Sequence, residues 1–302
     1  MSNNLERKPW ELDESQVFFY KEMGYLVVPK VYSTEECQII LNHVRPFANS
    51  DFAALMNPDR LEYLLAQYVP CKFGIKPSDE SPKIGSVVDS IEEIFKNYSG
   101  FEDRAKALGL EEKQYAQAYE TSVFLREIMR SPRQRIILEK LQGREVVALM
   151  SQVLFKEAGT RFAKEQGWKP HQDNSYPKNL NAQYITTNLF LADADKENGT
   201  LYMYPASHKL GLLDSEETQS FREGKGKAPG NLTLMPEIWK EAHYDVNFKT
   251  GDLLVLNGNT IHGSYPNLSN RSRPLYSQSL IGRGEFFIPG PNARRKEIPL
   301  ID

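Results

Sequence analysis

Residues 168–176 of the chain, with the sequence WKPHQDNSY, hold a histidine and an aspartate two positions apart. If this stretch runs as a strand, the alternation of side chains places His171 and Asp173 on the same face. An imidazole and a carboxylate would then point at one spot. A second histidine from elsewhere would complete the two-histidine, one-carboxylate arrangement that suits non-haem Fe(II) with open coordination positions.

The composition is ordinary for a globular protein and argues against several classes of function. The 302 residues carry a formal net charge of −3, which gives no reason to expect a nucleic acid or an anionic membrane as partner. The two cysteines, Cys37 and Cys71, form no CxxC pair, so neither a thiolate metal site nor a disulfide framework is expected. The N-terminus is polar and no segment approaches membrane-spanning length, so we expect a cytoplasmic protein.

The distribution of residue types along the sequence predicts a single domain, residues 1–302, in three parts. Residues 15–145 are expected to be largely helical. Residues 146–282 hold short apolar and β-branched runs separated by Gly, Asn, Asp and Pro, which is typical of a sandwich or barrel. Within this part, residues 211–243 are expected to form a polar loop. Residues 283–302 are expected to form a C-terminal tail.

Local signals fix the ends of three predicted helices. A short helix is expected to stop at Gly24. Ser33 and Glu36 have the spacing of a capping box, which predicts the start of a second helix. A third helix is predicted to begin at Ser131-Pro132 and to end at Gly143.

Two of the five histidines are the best candidates for the third ligand. His262 follows Gly251-Asp252, a buried run and a second turn, so it is presented where the chain enters another strand. We rank it first. His208 lies in a turn after a strand and ranks second, with a structural role preferred for it.

An arginine near these residues could bind a carboxylate ligand. Arg273 stands at the entrance to the predicted strand 275–281, from which its guanidinium could reach into a barrel and pair bidentately with a carboxylate. Arg271 is two residues earlier and could face the same side. The register against the strand favours Arg273.

The order and spacing of these motifs resemble those of the phytanoyl-CoA dioxygenase family. The motifs that carry the resemblance are His171-x-Asp173, the run from Asn198 to Lys209, Gly251-Asp252, His262-Gly263-Ser264 and Arg273. The resemblance covers residues 146–282. It implies a mainly β fold with a double-stranded β-helix, or jelly-roll, core and with helices packed on one side.

The same resemblance implies roles for individual residues. His171, Asp173 and His262 would be the iron ligands. Arg273 would bind the distal carboxylate of 2-oxoglutarate, and Ser264 would form a hydrogen bond nearby.

Three further residues are site candidates by position. Gln152 falls where family members often have methionine, and Asn188 where they often have tryptophan, so both are expected at the cosubstrate site. Tyr176 lies closest to the His-x-Asp motif and is the candidate for contact with substrate.

The resemblance implies an Fe(II)- and 2-oxoglutarate-dependent dioxygenase that also uses O₂. 2-Oxoglutarate would be decarboxylated to succinate and CO₂, while a C–H bond of a small organic molecule is hydroxylated or otherwise oxidised. Asp173 argues against halogenation, because family-related halogenases have a small residue at that position. The residues alone leave open a zinc hydrolase with the same ligands, or a non-catalytic jelly-roll binding protein.

Overall fold

The computed structural model describes residues 8–44, 124–125, 127–159, 163–164, 167–222, 226–288 and 297–301. Most of the predicted helical part between residues 45 and 123, and residues 289–296 of the predicted tail, lie outside the described residues. None of the helices in the described ranges is long and apolar enough to cross a membrane.

The described residues form three main helices and twelve strands. The helices are α1 (Glu14–Met23), α2 (Thr34–Val44) and α3 (Pro132–Gln142). The strands are β1 (Tyr25–Val28), β2 (Val146–Lys156), β3 (Trp168–His171), β4 (Tyr184–Phe190), β5 (Leu201–Met203), β6 (Ser215–Arg222), β7 (Gly226–Thr233), β8 (Tyr244–Asp245), β9 (Leu253–Asn257), β10 (His262–Ser264), β11 (Arg273–Gly282) and β12 (Ile298–Pro299).

Most of the strands form two antiparallel sheets. The larger sheet has the order β1-β9-β4-β11-β2-β12, and the smaller sheet has the order β3-β10-β5-β8. Residues from both sheets meet in one apolar cluster, in which Leu201 and Met203 of the smaller sheet pack with Phe190, Leu254 and Leu275 of the larger. The architecture is a jelly-roll sandwich, as predicted.

The helices cover the outer face of the larger sheet. Because strand residues alternate between faces, Leu253 and Val255 of β9 point outward whereas Leu254 points into the sandwich. The outward set packs with apolar residues of all three helices, among them Ile40 and Ile137. The prediction of helices on one side of a β core is therefore confirmed.

The predicted helix ends are also found in the structure. Gly24 and Gly143 close α1 and α3 in the left-handed region, with φ of 80° and 68°. The Ser33 hydroxyl accepts from the Glu36 backbone N–H at 3.2 Å, and the Glu36 carboxylate accepts from the Ser33 N–H at 2.8 Å. These bonds complete a capping box at the start of α2.

The prediction of a polar loop over residues 211–243 is wrong for much of its length. Strands β6 and β7 pair antiparallel from Ser215↔Thr233 to Arg222↔Gly226. The pairing of a hairpin is made by backbone groups, so a polar sequence without apolar alternation gives little sign of it.

Candidate metal centre

Two histidines from adjacent strands of the smaller sheet face each other. His171 is the last residue of β3 and His262 the first of β10, and the antiparallel register pairs them directly. Their ring centroids are 4.4 Å apart. Both side chains are buried, although they lie ninety-one positions apart in the chain, from 171 to 262. The sheet thus supplies the second histidine that the sequence required.

Asp173 reaches the same point by a turn and not along a strand. β3 ends at His171, and Asp173 begins a short 3₁₀ helix, Asp173–Ser175. The premise that the aspartate and His171 share one face of a strand is therefore wrong. The turn is fixed where the Asn174 N–H donates to the Gly258 carbonyl at 2.9 Å.

The three side chains form a compact set of ligand atoms. The Asp173 carboxylate lies 3.4 Å from Nε2 of His171 and 3.6 Å from Nε2 of His262. One ligand atom from each residue falls within 4.8 Å of the others, and the described residues contain no second such group. This is a geometry in which a single metal ion could contact all three residues.

Backbone carbonyls fix the protonation of both imidazole rings. Nδ1 of His171 lies 2.7 Å from the Lys169 carbonyl, and Nδ1 of His262 lies 3.0 Å from the Thr260 carbonyl. Because a carbonyl can only accept, each Nδ1 carries the proton. In the neutral ring Nε2 then keeps a lone pair directed at the site, which is the arrangement that a metal-binding histidine requires. The donor set therefore fits a metal ion.

The electrostatics of the site keep the aspartate ionised. Burial by itself would raise the pKa of Asp173, but its interactions with the imidazoles of His262 and His171 and a hydrogen bond from the Thr186 hydroxyl at 2.7 Å outweigh burial, so the pKa is lowered. Burial lowers the pKa of His262, which favours its neutral form. A carboxylate beside a neutral imidazole matches what a divalent cation binds.

Gln172, between the two ligands, anchors the segment from behind. Its side-chain amide donates to the carbonyls of Asn259 at 2.6 Å and Gly211 at 2.8 Å, and its oxygen accepts from the Leu213 N–H at 2.8 Å. These contacts tie the His-x-Asp segment to the turn that precedes His262. Sequence reasoning assigned Gln172 no role, since its partners are distant in the chain.

A buried guanidinium lies at one end of the inner face of the larger sheet. Arg273 is 2% exposed, and burial lowers the pKa of its side chain to about 9. Its Nε donates to the Gly199 carbonyl at 3.1 Å, but one terminal nitrogen, Nη1, has no hydrogen-bond partner among the residues that the structure describes. A buried donor without a partner is costly, so this nitrogen marks a place where an anionic ligand fits.

Lys156 is directly opposite Arg273 on the neighbouring strand β2 and is also buried. Its ammonium donates to the Ser264 hydroxyl at 2.7 Å and to the Tyr265 carbonyl. Sequence reasoning missed this lysine, because the register that places it beside Arg273 joins residues more than a hundred positions apart.

A row of paired backbone positions crosses the larger sheet four residues along β11 from Arg273. The register aligns Gln152 of β2 with Ser277 of β11, and Ser277 with Asn188 of β4. Ser277 and Asn188 are buried, and both lie on the same face of the sheet as Arg273 and Thr186. The two predicted cosubstrate residues are therefore brought to one row, with Ser277 between them.

The other candidates lie elsewhere or at the margin. Nε2 of His208 is 3.0 Å from the Lys21 carbonyl in a turn against α1, away from the histidine pair. Arg271 forms an exposed ion pair with Asp195 at 2.7 Å. Tyr176 follows the 3₁₀ helix of Asp173 and is 40% exposed, so it borders the metal centre from the surface.

Comparison with known proteins agrees with this fold. The model of the family described as phytanoyl-CoA dioxygenase (PhyH) matches residues 20–275. A phytanoyl-CoA dioxygenase of Arabidopsis thaliana is 29% identical over 149 residues, which is 48% of each chain. The phytanoyl-CoA dioxygenase domain-containing protein 1 of Danio rerio is 25% identical over 281 residues, 88% of this chain and 89% of that protein. The first alignment therefore spans about half of its relative, and the second nearly all.

A solved structure shares the architecture. The epimerase SnoN, in complex with Fe³⁺, alpha ketoglutarate and nogalamycin RO, superposes with a TM-score of 0.57 at 21% identity, over 96% of this chain and 95% of SnoN. This solved structure shows the fold alone, whereas the family match defines an enzyme of the Fe(II)- and 2-oxoglutarate-dependent oxygenase class. The chain belongs to the phytanoyl-CoA dioxygenase family.

Proposed function

We propose that this protein is a dioxygenase that hydroxylates an unactivated C–H bond of a small organic molecule. His171, Asp173 and His262 would hold Fe(II), and Arg273 with Ser264 would bind the distal carboxylate of 2-oxoglutarate. The observation that carries the proposal is the buried Arg273 guanidinium, one nitrogen of which has no hydrogen-bond partner within the described ranges. It lies at one end of the same sandwich interior that holds the three ligand atoms.

Three protein ligands are a suitable number for this chemistry. An octahedral ion held by two imidazoles and one carboxylate keeps three positions for other ligands. Iron with 2-oxoglutarate and O₂ would supply the oxidation, with succinate and CO₂ as the products of the cosubstrate. The task of the chain is then to hold the reactants in place and to exclude water.

Each residue of the chain would have a separate task. The backbone carbonyls behind His171 and His262 hold the lone pairs of the rings toward the ion. The Thr186 hydroxyl would hold the Asp173 carboxylate in place. The row of Gln152, Ser277 and Asn188 would line the cosubstrate between the ion and Arg273.

Arg273 also separates this function from the alternatives. A zinc hydrolase could use the same three ligands, but it needs no buried cation reserved for a second carboxylate. A binding module needs no open metal site. An oxygenase uses both the open metal site and the buried cation, and these lie within one sandwich interior.

Substrate would approach from the side of Tyr176. This residue directly follows the 3₁₀ helix of Asp173 and is partly exposed. Two exposed apolar residues, Leu180 and Phe286, lie on neighbouring loops. These loops are connected by a hydrogen bond from the Asn179 side chain to the Phe286 carbonyl at 2.9 Å. We propose that this surface receives an apolar part of the substrate, and that residues 1–302 act as one oxygenase domain.

An anaerobic titration tests the proposal. Protein with Fe(II) should develop a weak visible charge-transfer band when 2-oxoglutarate is added, and the band should not form without metal. In air, a panel of small organic substrates should then yield succinate in step with the oxidised product. A protein that shows neither the band nor succinate would refute the assignment, and hydrolysis by the zinc form would favour the hydrolase.

A further inference from the structure

Lys156 places a second buried basic group beside Arg273. The side chain is 1% exposed. Its Nζ donates to the Ser264 hydroxyl at 2.7 Å, to the Tyr265 carbonyl and to the Gly199 carbonyl at 3.4 Å. The carbonyl of Gly199 also accepts from Nε of Arg273 at 3.1 Å. The two cations therefore share one acceptor.

Neither cation has an anionic partner in the part of the chain that the structure describes. The ion pairs found there involve other residues, and the contacts of Lys156 and Arg273 are to carbonyl and hydroxyl oxygens. Burial is the main cause that lowers the pKa of Lys156 far below its usual value, and the charge of Arg273 adds to it. A bound carboxylate would offset both effects and would hold Lys156 in its protonated form.

The hydrogen-bond directions prepare Ser264 for such a ligand. Its oxygen accepts a hydrogen bond from Nζ of Lys156, so its own O–H is left to donate to another group. Arg273 has one nitrogen, Nη1, without a hydrogen-bond partner in the described part of the chain. A carboxylate at this position would thus receive bonds from a serine hydroxyl and from a guanidinium, with the ammonium directly behind the serine.

The backbone packs closely against this lysine. Gly199 has φ of 91°, a conformation that glycine adopts readily. A Cβ at this residue would lie 2.8 Å from Cδ of Lys156 and 2.8 Å from the Tyr265 carbonyl oxygen. The Asn198-Gly199-Thr200 loop therefore encloses the lysine stem, and the ammonium has one defined location.

We propose that Lys156 is a positioning residue that orients Ser264 and supplies the second positive charge of the cosubstrate anchor, so that the site selects 2-oxo acids with a distal carboxylate. The inference rests on the proposed function, since it assumes that a 2-oxo acid binds between the metal and Arg273. The specific consequence of this inference is selectivity between dicarboxylate and monocarboxylate 2-oxo acids. Loss of Lys156 should weaken dicarboxylate 2-oxo acids and leave a monocarboxylate of the same chain length nearly unaffected.

The test compares two ligands on three proteins. The proteins are wild type, Lys156→Met and the control Arg271→Met, which removes a positive charge from an exposed ion pair close by in the chain. Each protein is loaded with Fe(II) without oxygen and titrated calorimetrically with 2-oxoglutarate and with 2-oxopentanoate, which lacks the distal carboxylate. Lys156→Met should bind 2-oxoglutarate at least about tenfold more weakly, the size of one charge-assisted hydrogen bond. Its affinity for 2-oxopentanoate should change less than about twofold, and Arg271→Met should match wild type.

The outcomes separate this inference from the proposed function. Unchanged 2-oxoglutarate affinity in Lys156→Met, or an equal loss for both ligands, would overturn the role of Lys156 while leaving the oxygenase assignment intact. A wild-type protein that binds no 2-oxoglutarate in the presence of Fe(II) would overturn both. If Lys156→Met does not fold, Lys156→Gln, which keeps N–H donors without the charge, should show the same selective loss.

Discussion

Replacing Arg273 by methionine should move stability and cosubstrate binding in opposite directions. The guanidinium is 2% exposed, and burial lowers its pKa from the ordinary value of an arginine to about 9. A difference of that size corresponds to about 5 kcal/mol against the charged form, as an order of magnitude. Methionine has a similar length and no charge to desolvate.

The expected gain in stability is smaller than that figure, because the bond from Nε to the Gly199 carbonyl is lost as well. Replacing buried charges by apolar side chains of similar volume is neutral or stabilising by about 1–4 kcal/mol in other proteins. We expect the metal-free Arg273→Met variant to gain about 1–3 kcal/mol in free energy of unfolding. Denaturant titration with a two-state fit measures it.

The loss of binding follows from the bonds that the guanidinium would donate. Two charge-assisted bonds to a carboxylate, at about 1.5–3 kcal/mol each, correspond to a fall in 2-oxoglutarate affinity of about 10²- to 10⁴-fold. Iron binding should be retained, because none of the three candidate ligands contacts Arg273. Arg271→Met is the control and should change neither quantity much.

Two results would refute this reasoning. If Arg273→Met binds 2-oxoglutarate as tightly as wild type, the carboxylate anchor lies elsewhere. If the metal-free variant is strongly destabilised, the guanidinium is a structural group whose bond to Gly199 outweighs its burial.

Three further substitutions test other parts of the structure. Thr186→Val removes a 2.7 Å hydrogen bond to the Asp173 carboxylate. Fe(II) affinity should then fall about 10- to 100-fold with little change in melting temperature. Unaltered affinity in a metal titration would show that this bond does not hold the carboxylate in place for the metal. Gly251→Ala adds a Cβ that would lie 2.0 Å from the Tyr32 carbonyl oxygen, at a residue with φ of 90°. The variant should therefore be destabilised by on the order of 3 kcal/mol or should fail to fold. A melting temperature like that of wild type would contradict the close packing of Gly251 against Tyr32. Arg133 holds the pKa of Glu36 below its usual value through hydrogen bonds at 2.7 and 2.9 Å. Their pairing therefore stabilises the fold at pH values above the unfolded-state pKa of Glu36. This stabilisation is lost as the pH falls through the lowered pKa of Glu36 in the folded state. Arg133→Met should remove this acid-dependent part, about 0.5 kcal/mol after screening at the half-exposed pair, and equal acid sensitivity in both proteins would argue against it.

The outcome of the oxidation is a separate question from the identity of the centre. The solved epimerase that shares this fold has 21% identity to the chain, which establishes the architecture and not the reaction. The same iron chemistry supports hydroxylation, desaturation, ring formation and epimerisation. Product analysis with a substrate that yields succinate is therefore the experiment that distinguishes them.

Much of the fold could be predicted from local sequence, because the signals act over a few residues. Glycines at positions 24 and 143 end helices, and Ser33 with Glu36 begins one, since capping depends on neighbouring backbone groups. The short apolar runs predicted a strand-rich region over residues 146–282, which holds all strands of the two sheets except β1 and β12. The hairpin β6–β7 was missed, because its pairing depends on backbone hydrogen bonds that polar side chains do not reveal.

For the candidate site, too, some features could be predicted from the sequence and others were set only by the tertiary structure. The sequence determined which residue types are available: the His171-x-Asp173 motif, a later histidine after a turn, and an arginine at the start of a strand. Only the tertiary structure decided that Asp173 reaches the pair by a 3₁₀ turn, and that Lys156 joins Arg273 across β2 and β11. The physical reason is that ligand types are properties of single residues, whereas their convergence is set by strand register. Register joins positions more than a hundred residues apart, and no local pattern in the chain records it.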